Sequence, residues 1–167
     1  KHCGAIKVTS TEGQGSNFQV ILPYVEADHL TNNLDQLPQR MNISKGLKVL
    51  LVDDEEIIRS TVSRLLKTSG FTVVLASNGL EGVEAYQVDH FDLVILDMLM
   101  PVMNGLEALK LMRAHRPDVP VIIHSGYAED DDLEQLSRLG VSQVLTKPSR
   151  HSDLLKAINL VLDEKNS

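Results

Sequence analysis

Phe91-Asp92-Leu93-Val94-Ile95-Leu96-Asp97-Met98-Leu99-Met100-Pro101 is the stretch on which the fold turns. Its apolar run, Leu93 to Leu96, stops abruptly at an acid, and Pro101 and Asn104-Gly105 follow soon after. A short unbroken run of Val, Ile and Leu bounded by turn residues predicts a strand buried on both faces. Asp97 then stands at that strand's carboxyl end, the edge where open α/β sheets bind ligands. Alone, Asp97 is just as readily a turn former. What the rest of the chain brings to the same edge decides between the two.

From Lys48 to Lys165 apolar strands alternate with amphipathic helices. Val49 to Val52 is the first strand, followed by a helix with Ile58, Val62, Leu65 and Leu66 on one face and Lys67 and Gly70 at its end. Phe71 to Leu75 is the second strand, and its helix carries Leu80, Val83 and Tyr86 inward. The opening stretch is the third, with Leu106, Leu109 and Met112 on its helix. Val119 to His124 and Ser142 to Leu145 are the fourth and fifth, with Leu133, Leu136 and Leu139, then Leu154, Ile158, Val161 and Leu162, on the helices that follow. Five strand-then-helix repeats predict a parallel α/β sheet covered on both faces. The expected fold is flavodoxin-like, a doubly wound (βα)5 sheet with strand order 2-1-3-4-5.

In that order the first, third, fourth and fifth strands are neighbours. Their carboxyl ends carry Asp53 and Asp54, Asp97, Ser125 and Lys147. Each has an ordinary explanation by itself. Asp53 or Asp54 can cap a helix, with Glu55 and Glu56 complementing its dipole. Ser125 can be a turn hydroxyl, and Lys147 a surface lysine. Together on one edge they point to chemistry. Crowded carboxylates repel unless a cation intervenes. An all-oxygen set suits Mg²⁺, while the lack of His or Cys at ligand spacing argues against zinc. His124, inside a buried strand, is expected in the core or at its rim. Asp97 becomes a candidate carboxylate nucleophile forming an aspartyl-phosphate, with the Lys147 ammonium neutralising the transferring group.

Composition narrows the classes. The 167 residues carry a net charge of −7, 43% hydrophobic and 4% aromatic residues, and no Trp. Such an acidic chain argues against nucleic acid as the main partner. The single cysteine, Cys3, excludes an internal disulfide framework and fits a reducing, cytoplasmic setting. No apolar run reaches membrane-spanning length, so no membrane contact is expected. A chain that starts at Lys1 reads as a fragment of something longer, whose parent can still be membrane-anchored.

Residues 1–23 form a separate pattern: Ile6 and Val8, then Phe18 and Val20, alternate with polar residues around Gly13-Gln14-Gly15. This predicts a hairpin. Gly4, Ile6, Val8, Ser10, Gly13, Gly15, Ser16, Phe18, Leu22 and Pro23 resemble the last two strands of the histidine-kinase ATP-binding domain. The resemblance implies a remnant of that domain and a parent that is a histidine kinase. Residues 24–46 have no sustained period and read as a linker, with a short helix conceivable around Asp28–Gln36.

Val52-Asp53-Asp54-Glu55, Leu96-Asp97, Met100-Pro101, Asn104-Gly105, Ser125-Gly126 and Thr146-Lys147-Pro148 resemble the receiver domain of two-component response regulators, over residues 47–165. The resemblance implies a phosphorelay module at the C-terminus of a hybrid sensor histidine kinase. Asp97 would accept a phosphoryl group from the phosphohistidine of a kinase or histidine phosphotransfer protein. Asp54, Asp97 and the Leu99 carbonyl would bind Mg²⁺, with Asp53 acting through water. Ser125 and Lys147 would contact the phosphoryl group, and Lys147-Pro148 would be cis. The module would catalyse only its own phosphorylation and dephosphorylation.

Three residues depart from the family or modify it. Val144 stands where an aromatic usually swings inward, and Ser149 where Phe is frequent. Tyr127 could partly lid the site. The run Glu129-Asp130-Asp131-Asp132 complements a helix dipole, meets a basic partner, or is repelled by charge added at Asp97. Competing readings are a receiver-like interaction module that is never phosphorylated, a Mg²⁺-dependent aspartyl phosphatase, and a flavodoxin-like FMN protein. The phosphatase lacks its second acid, since Leu99 occupies that place, and Asp53-Asp54-Glu55 would repel an FMN phosphate.

Overall fold

The computed structural model describes residues 5–13, 15–21, 46–126 and 130–165, of which residues 130–133 and 165 are described by their backbone only. The expected helix near Asp28–Gln36 lies outside the described residues. Strands β1 (Ala5–Thr11) and β2 (Gly15–Ile21) form an antiparallel pair with Ile6 opposite Val20 and Val8 opposite Phe18. All of its residues are exposed, including those four apolar side chains. A two-stranded ribbon of this kind is marginal in water without a further layer.

Residues 46–165 form an α/β unit of β3 (Lys48–Val52), α1 (Glu56–Thr68), β4 (Thr72–Ala76), α2 (Gly79–Val88), β5 (Leu93–Leu96), α3 (Gly105–His115), β6 (Val121–Ser125), α4 (Asp130–Arg138), β7 (Gln143–Thr146) and α5 (His151–Lys165). The sheet order is β4-β3-β5-β6-β7 and every pairing is parallel. That is the expected flavodoxin-like 2-1-3-4-5 arrangement. Successive strand residues point to opposite faces. Leu50, Val52, Val94, Leu96, Val121 and Ile123 therefore join one core with Val83, Tyr86, Leu109, Met112 and Leu136 of α2, α3 and α4. Val49, Leu51, Leu93, Ile95 and Ile122 join the other with Val62, Leu66, Leu154, Ile158 and Val161 of α1 and α5. Among the described residues no helix is long and apolar enough to cross a membrane.

Several expected details shift. The strands expected at Phe71, Val119 and Ser142 begin at Thr72, Val121 and Gln143. Phe71, Val119 and Pro120 are buried just before their strands begin; Pro120 has no N–H to contribute and meets β5 only through its carbonyl, which accepts from Val94 N–H at 3.0 Å. Leu80 is 41% exposed rather than inward, because α2 approaches the sheet through Gly79, Gly82, Val83 and Tyr86. Leu133 lies among the residues described by backbone only.

The loop after β5 is shaped by one close approach. Asn104 caps α3, with its side chain accepting from Glu107 N–H and the Glu107 carboxylate accepting from Asn104 N–H. Gly105 N–H donates to Met98 O at 3.0 Å, and a Cβ at Gly105 would lie 2.1 Å from Asp97 O. Only glycine lets the helix start this close to the strand end. Gly105→Ala is expected to lower stability by about 2–3 kcal/mol in denaturant titrations, an overpacking cost against backbone that cannot yield. Gly126→Ala, where the added carbon meets nothing within 4 Å, is the control and should change stability little.

Candidate functional site

Asp97 is the first residue beyond β5, and its N–H donates to Val52 O at 2.9 Å. Its side chain is 5% exposed. Oδ1 accepts from Met98 N–H at 2.6 Å and Leu99 N–H at 3.3 Å, which fixes the carboxylate and turns Oδ2 to the next strands. Asp53, just beyond β3, is also buried, and its Oδ1 accepts from Glu55 N–H at 2.9 Å. Arg59, on the first turn of α1, donates through Nη1 to Asp53 O at 2.6 Å and so pins the start of this loop.

Lys147 closes the constellation. Its N–H donates to Ser125 O at 2.8 Å, continuing the β6–β7 ladder by one bond. Its Nζ lies 2.6 Å from Asp97 Oδ2, 2.7 Å from Asp53 Oδ2 and 3.5 Å from Glu55 Oε1, with the side chain 11% exposed. Ser125, the last residue of β6, is buried at the same edge. Lys147-Pro148 is cis.

The electrostatics follow from one ammonium serving two buried acids. Burial lifts the Asp53 carboxyl above its ordinary value, more than the Lys147 hydrogen bond, the Glu55 N–H and the Lys147 charge lower it; the charge of Asp97 raises it further. Burial alone would lower Lys147, but hydrogen bonds and charges from both Asp53 and Asp97 outweigh it and hold the ammonium above its ordinary range. The lysine gains from two partners, whereas each acid receives half of one. The centre keeps a net negative charge.

Carboxylate oxygens of Asp53, Glu55 and Asp97 lie within 4.8 Å of one another, the spacing of a candidate metal site. These oxygen donors fit a hard divalent cation. In the sequence Glu55 belongs to the Val52-Asp53-Asp54-Glu55 motif and is given a helix dipole to complement, but not a ligand's role, so its place in this cluster is a finding of the structure. Asp54 is exposed and stands outside this cluster, and Leu99 is exposed on the loop after Asp97. The sequence does not single out Glu55 or Arg59 for this edge, because one acid and one arginine near a helix start are ordinary features. Val144 is half-buried against the core, whereas Tyr127 and Glu129 lie outside the described residues.

The response regulator receiver domain family matches residues 49–159. The chain belongs to that family. Its receiver is 30% identical over 116 residues to the cell cycle transcriptional regulator CtrA of Caulobacter vibrioides, covering 70% of this chain and half of that protein. The sensor kinase CckA of Brucella abortus is 29% identical over 171 residues, covering 98% of this chain and 18% of that kinase. The chain thus spans at most half the length of these relatives. The receiver domain of the sensor histidine kinase PA1611 from Pseudomonas aeruginosa, with magnesium coordinated in its active-site cleft, superposes with a TM-score of 0.65 at 25% identity, covering 71% of this chain and 98% of that one.

Two outcomes test these electrostatics. Removing one partner of a buried ion pair strands the other, so Lys147→Met should cost about 3 kcal/mol at neutral pH and less in acid, where the carboxyls protonate. The raised Asp53 value means that the folded protein keeps a proton that the unfolded chain has released. The stability this brings is complete below the ordinary aspartate value and is lost as pH rises through the folded value. Metal-free Asp53→Asn should lack that loss and be the more stable protein at pH 7, measured by thermal unfolding across pH.

Proposed function

We propose that the receiver takes a phosphoryl group from a phosphohistidine onto Asp97, with Mg²⁺, and changes conformation to signal. The observation that carries this reading is Lys147 Nζ at 2.6 Å from a buried Asp97 whose other oxygen is held by two backbone N–H groups. Such a carboxylate is desolvated, oriented and paired with a cation that can follow charge onto an incoming phosphoryl group. In the step, a P–O bond forms at the Asp97 carboxylate as the P–N bond of the donor breaks. The electron pair returns to the donor imidazole. The Lys147 ammonium, already charged, stabilises the equatorial oxygens, and Ser125 offers its hydroxyl to one of them.

Asp97, Asp53, Glu55 or Asp54, and the Leu99 carbonyl would hold Mg²⁺. That ion would supply charge neutralisation for phosphate oxygens among the acids. Magnesium in the cleft of the PA1611 receiver supports the same assignment. The acid cluster and its excess negative charge support it independently.

In this reading residues 1–23 are the last strands of a kinase ATP-binding domain, 24–46 a linker and 47–165 the receiver of a cytoplasmic phosphorelay segment. The alignment with CckA supports a sensor-kinase parent, because it runs through the N-terminal hairpin as well as the receiver. The partner is then a phosphohistidine domain, in the parent or in a separate phosphotransfer protein.

Incubation with acetyl phosphate and Mg²⁺ should add one phosphoryl mass to the wild type and none to Asp97→Asn. Chelation of Mg²⁺ should abolish the gain. If the wild type gains nothing, or Asp97→Asn gains equally, the chain is an interaction module instead.

A further inference from the structure

Lys147 has a long, flexible side chain, and its Nζ must meet two acids at once. The backbone that carries it therefore has to be held in place. On its N-terminal side the β6–β7 ladder does this: His124 is in register with Leu145 and Ser125 with Thr146, and Lys147 N–H reaches Ser125 O. Beyond Lys147 the chain turns at Pro148 and leaves the sheet, and Pro148 and Arg150 are both exposed. Ser149, between them, turns back inward. Its Oγ lies 2.9 Å from His124 Nε2.

His124 is the residue before Ser125 and is 4% exposed. Its Nδ1 has no hydrogen-bond partner among the described residues, so the contact of Nε2 with Ser149 is the hydrogen bond that holds this buried ring. The brace borders a cavity of about 360 Å³ whose lining includes Ile58, Val62, His124, Pro148, Ser149 and Leu154. Open space thus lies beside the Pro148–Arg150 turn, whose far end is tied to α5 where Asp153 and Leu154 N–H donate to Arg150 O, leaving Ser149 as its side-chain tie to β6. Burial, together with the Lys147 charge and against that of Asp97, holds the imidazole below its ordinary value, so the ring stays neutral at physiological pH.

We infer that His124 and Ser149 are a positioning pair: their hydrogen bond ties the turn after Lys147 to the strand that ends in Ser125, and so aims Lys147 at Asp97. The inference rests on the reading of Asp97 as phosphoacceptor and adds residues that reading does not use. It also gives the Ser149 hydroxyl a role, which is to join the two segments whose ends, Ser125 and Lys147, face the phosphoryl group.

The test is the initial rate of phosphorylation of the whole chain by acetyl phosphate in wild type, Ser149→Ala and Ser149→Thr. Losing the hydroxyl should lower the maximal rate about 3- to 10-fold, the scale of one hydrogen bond. The Mg²⁺ concentration giving half the maximal rate should stay unchanged, and Ser149→Thr should recover most of the rate. In a His124→Phe background, Ser149→Ala should have no further effect, since the two residues act as one unit. If His124→Phe does not fold, the Ser149 pair decides alone. A wild-type rate in Ser149→Ala, or Ser149→Thr as slow as Ser149→Ala, overturns the proposal while leaving Asp97 as acceptor. No phosphorylation of the wild type overturns both.

Discussion

One ammonium stands between two buried carboxylates, and the rest of the unit is arranged around that imbalance. Lys147 Nζ is within hydrogen-bond distance of Asp53 and Asp97, each at the end of a different strand and nearly sealed from water. Burying two acids with one base leaves a negative centre that water cannot relieve. The pair costs stability in the resting protein and leaves attraction for positive charge, met in part by the positive ends of backbone N–H dipoles and open to a metal ion. The same excess charge would obstruct an incoming phosphate unless a cation joined it. On the proposed function, the need for a metal and the acceptance of a phosphoryl group would be two consequences of one geometry.

Holding that geometry takes precision at the sheet's carboxyl edge rather than bulk in the core. The parallel ladder sets β3, β5, β6 and β7 side by side, so the last residue of β6 and the residues one step beyond β3, β5 and β7 converge. Backbone donors at Met98, Leu99 and Glu55 then fix one oxygen of each acid and leave the other for Lys147. Arg59 anchors the Asp53 carbonyl, and Gly105 lets α3 begin against the Asp97 backbone. Val102, in the same loop, adopts φ 71°, a left-handed conformation that a β-branched residue rarely takes. The loop beside Asp97 is held by its surroundings against its own preference.

The fold is readable because buried parallel strands are nearly continuous apolar runs and their helices keep a 3.6-residue stripe. Five repeats fit the smaller of the two common doubly wound orders, and that order in a parallel sheet brings Asp53, Asp97, Ser125 and Lys147 to one edge. Boundaries slip where apolarity and hydrogen bonding part company, as at Val119 and Pro120, which are buried before β6 begins, Pro120 with only a carbonyl to offer β5. Leu80 misleads because α2 meets the sheet through glycines, which a search for apolar side chains passes over. Glu55, Arg59 and the His124–Ser149 contact depend on side-chain direction and on distances between remote residues. No spacing in the chain encodes them.

The central claim is that Lys147 follows negative charge on Asp97. Its most direct test is a crystal structure with Mg²⁺ and beryllofluoride, which mimics a phosphoryl group. The expected result is beryllofluoride on Asp97, with Lys147 Nζ and Ser125 Oγ both within hydrogen-bond distance of its fluorines. Beryllofluoride on another residue, or Lys147 still bridging Asp53 and Asp97 without touching it, would contradict the account.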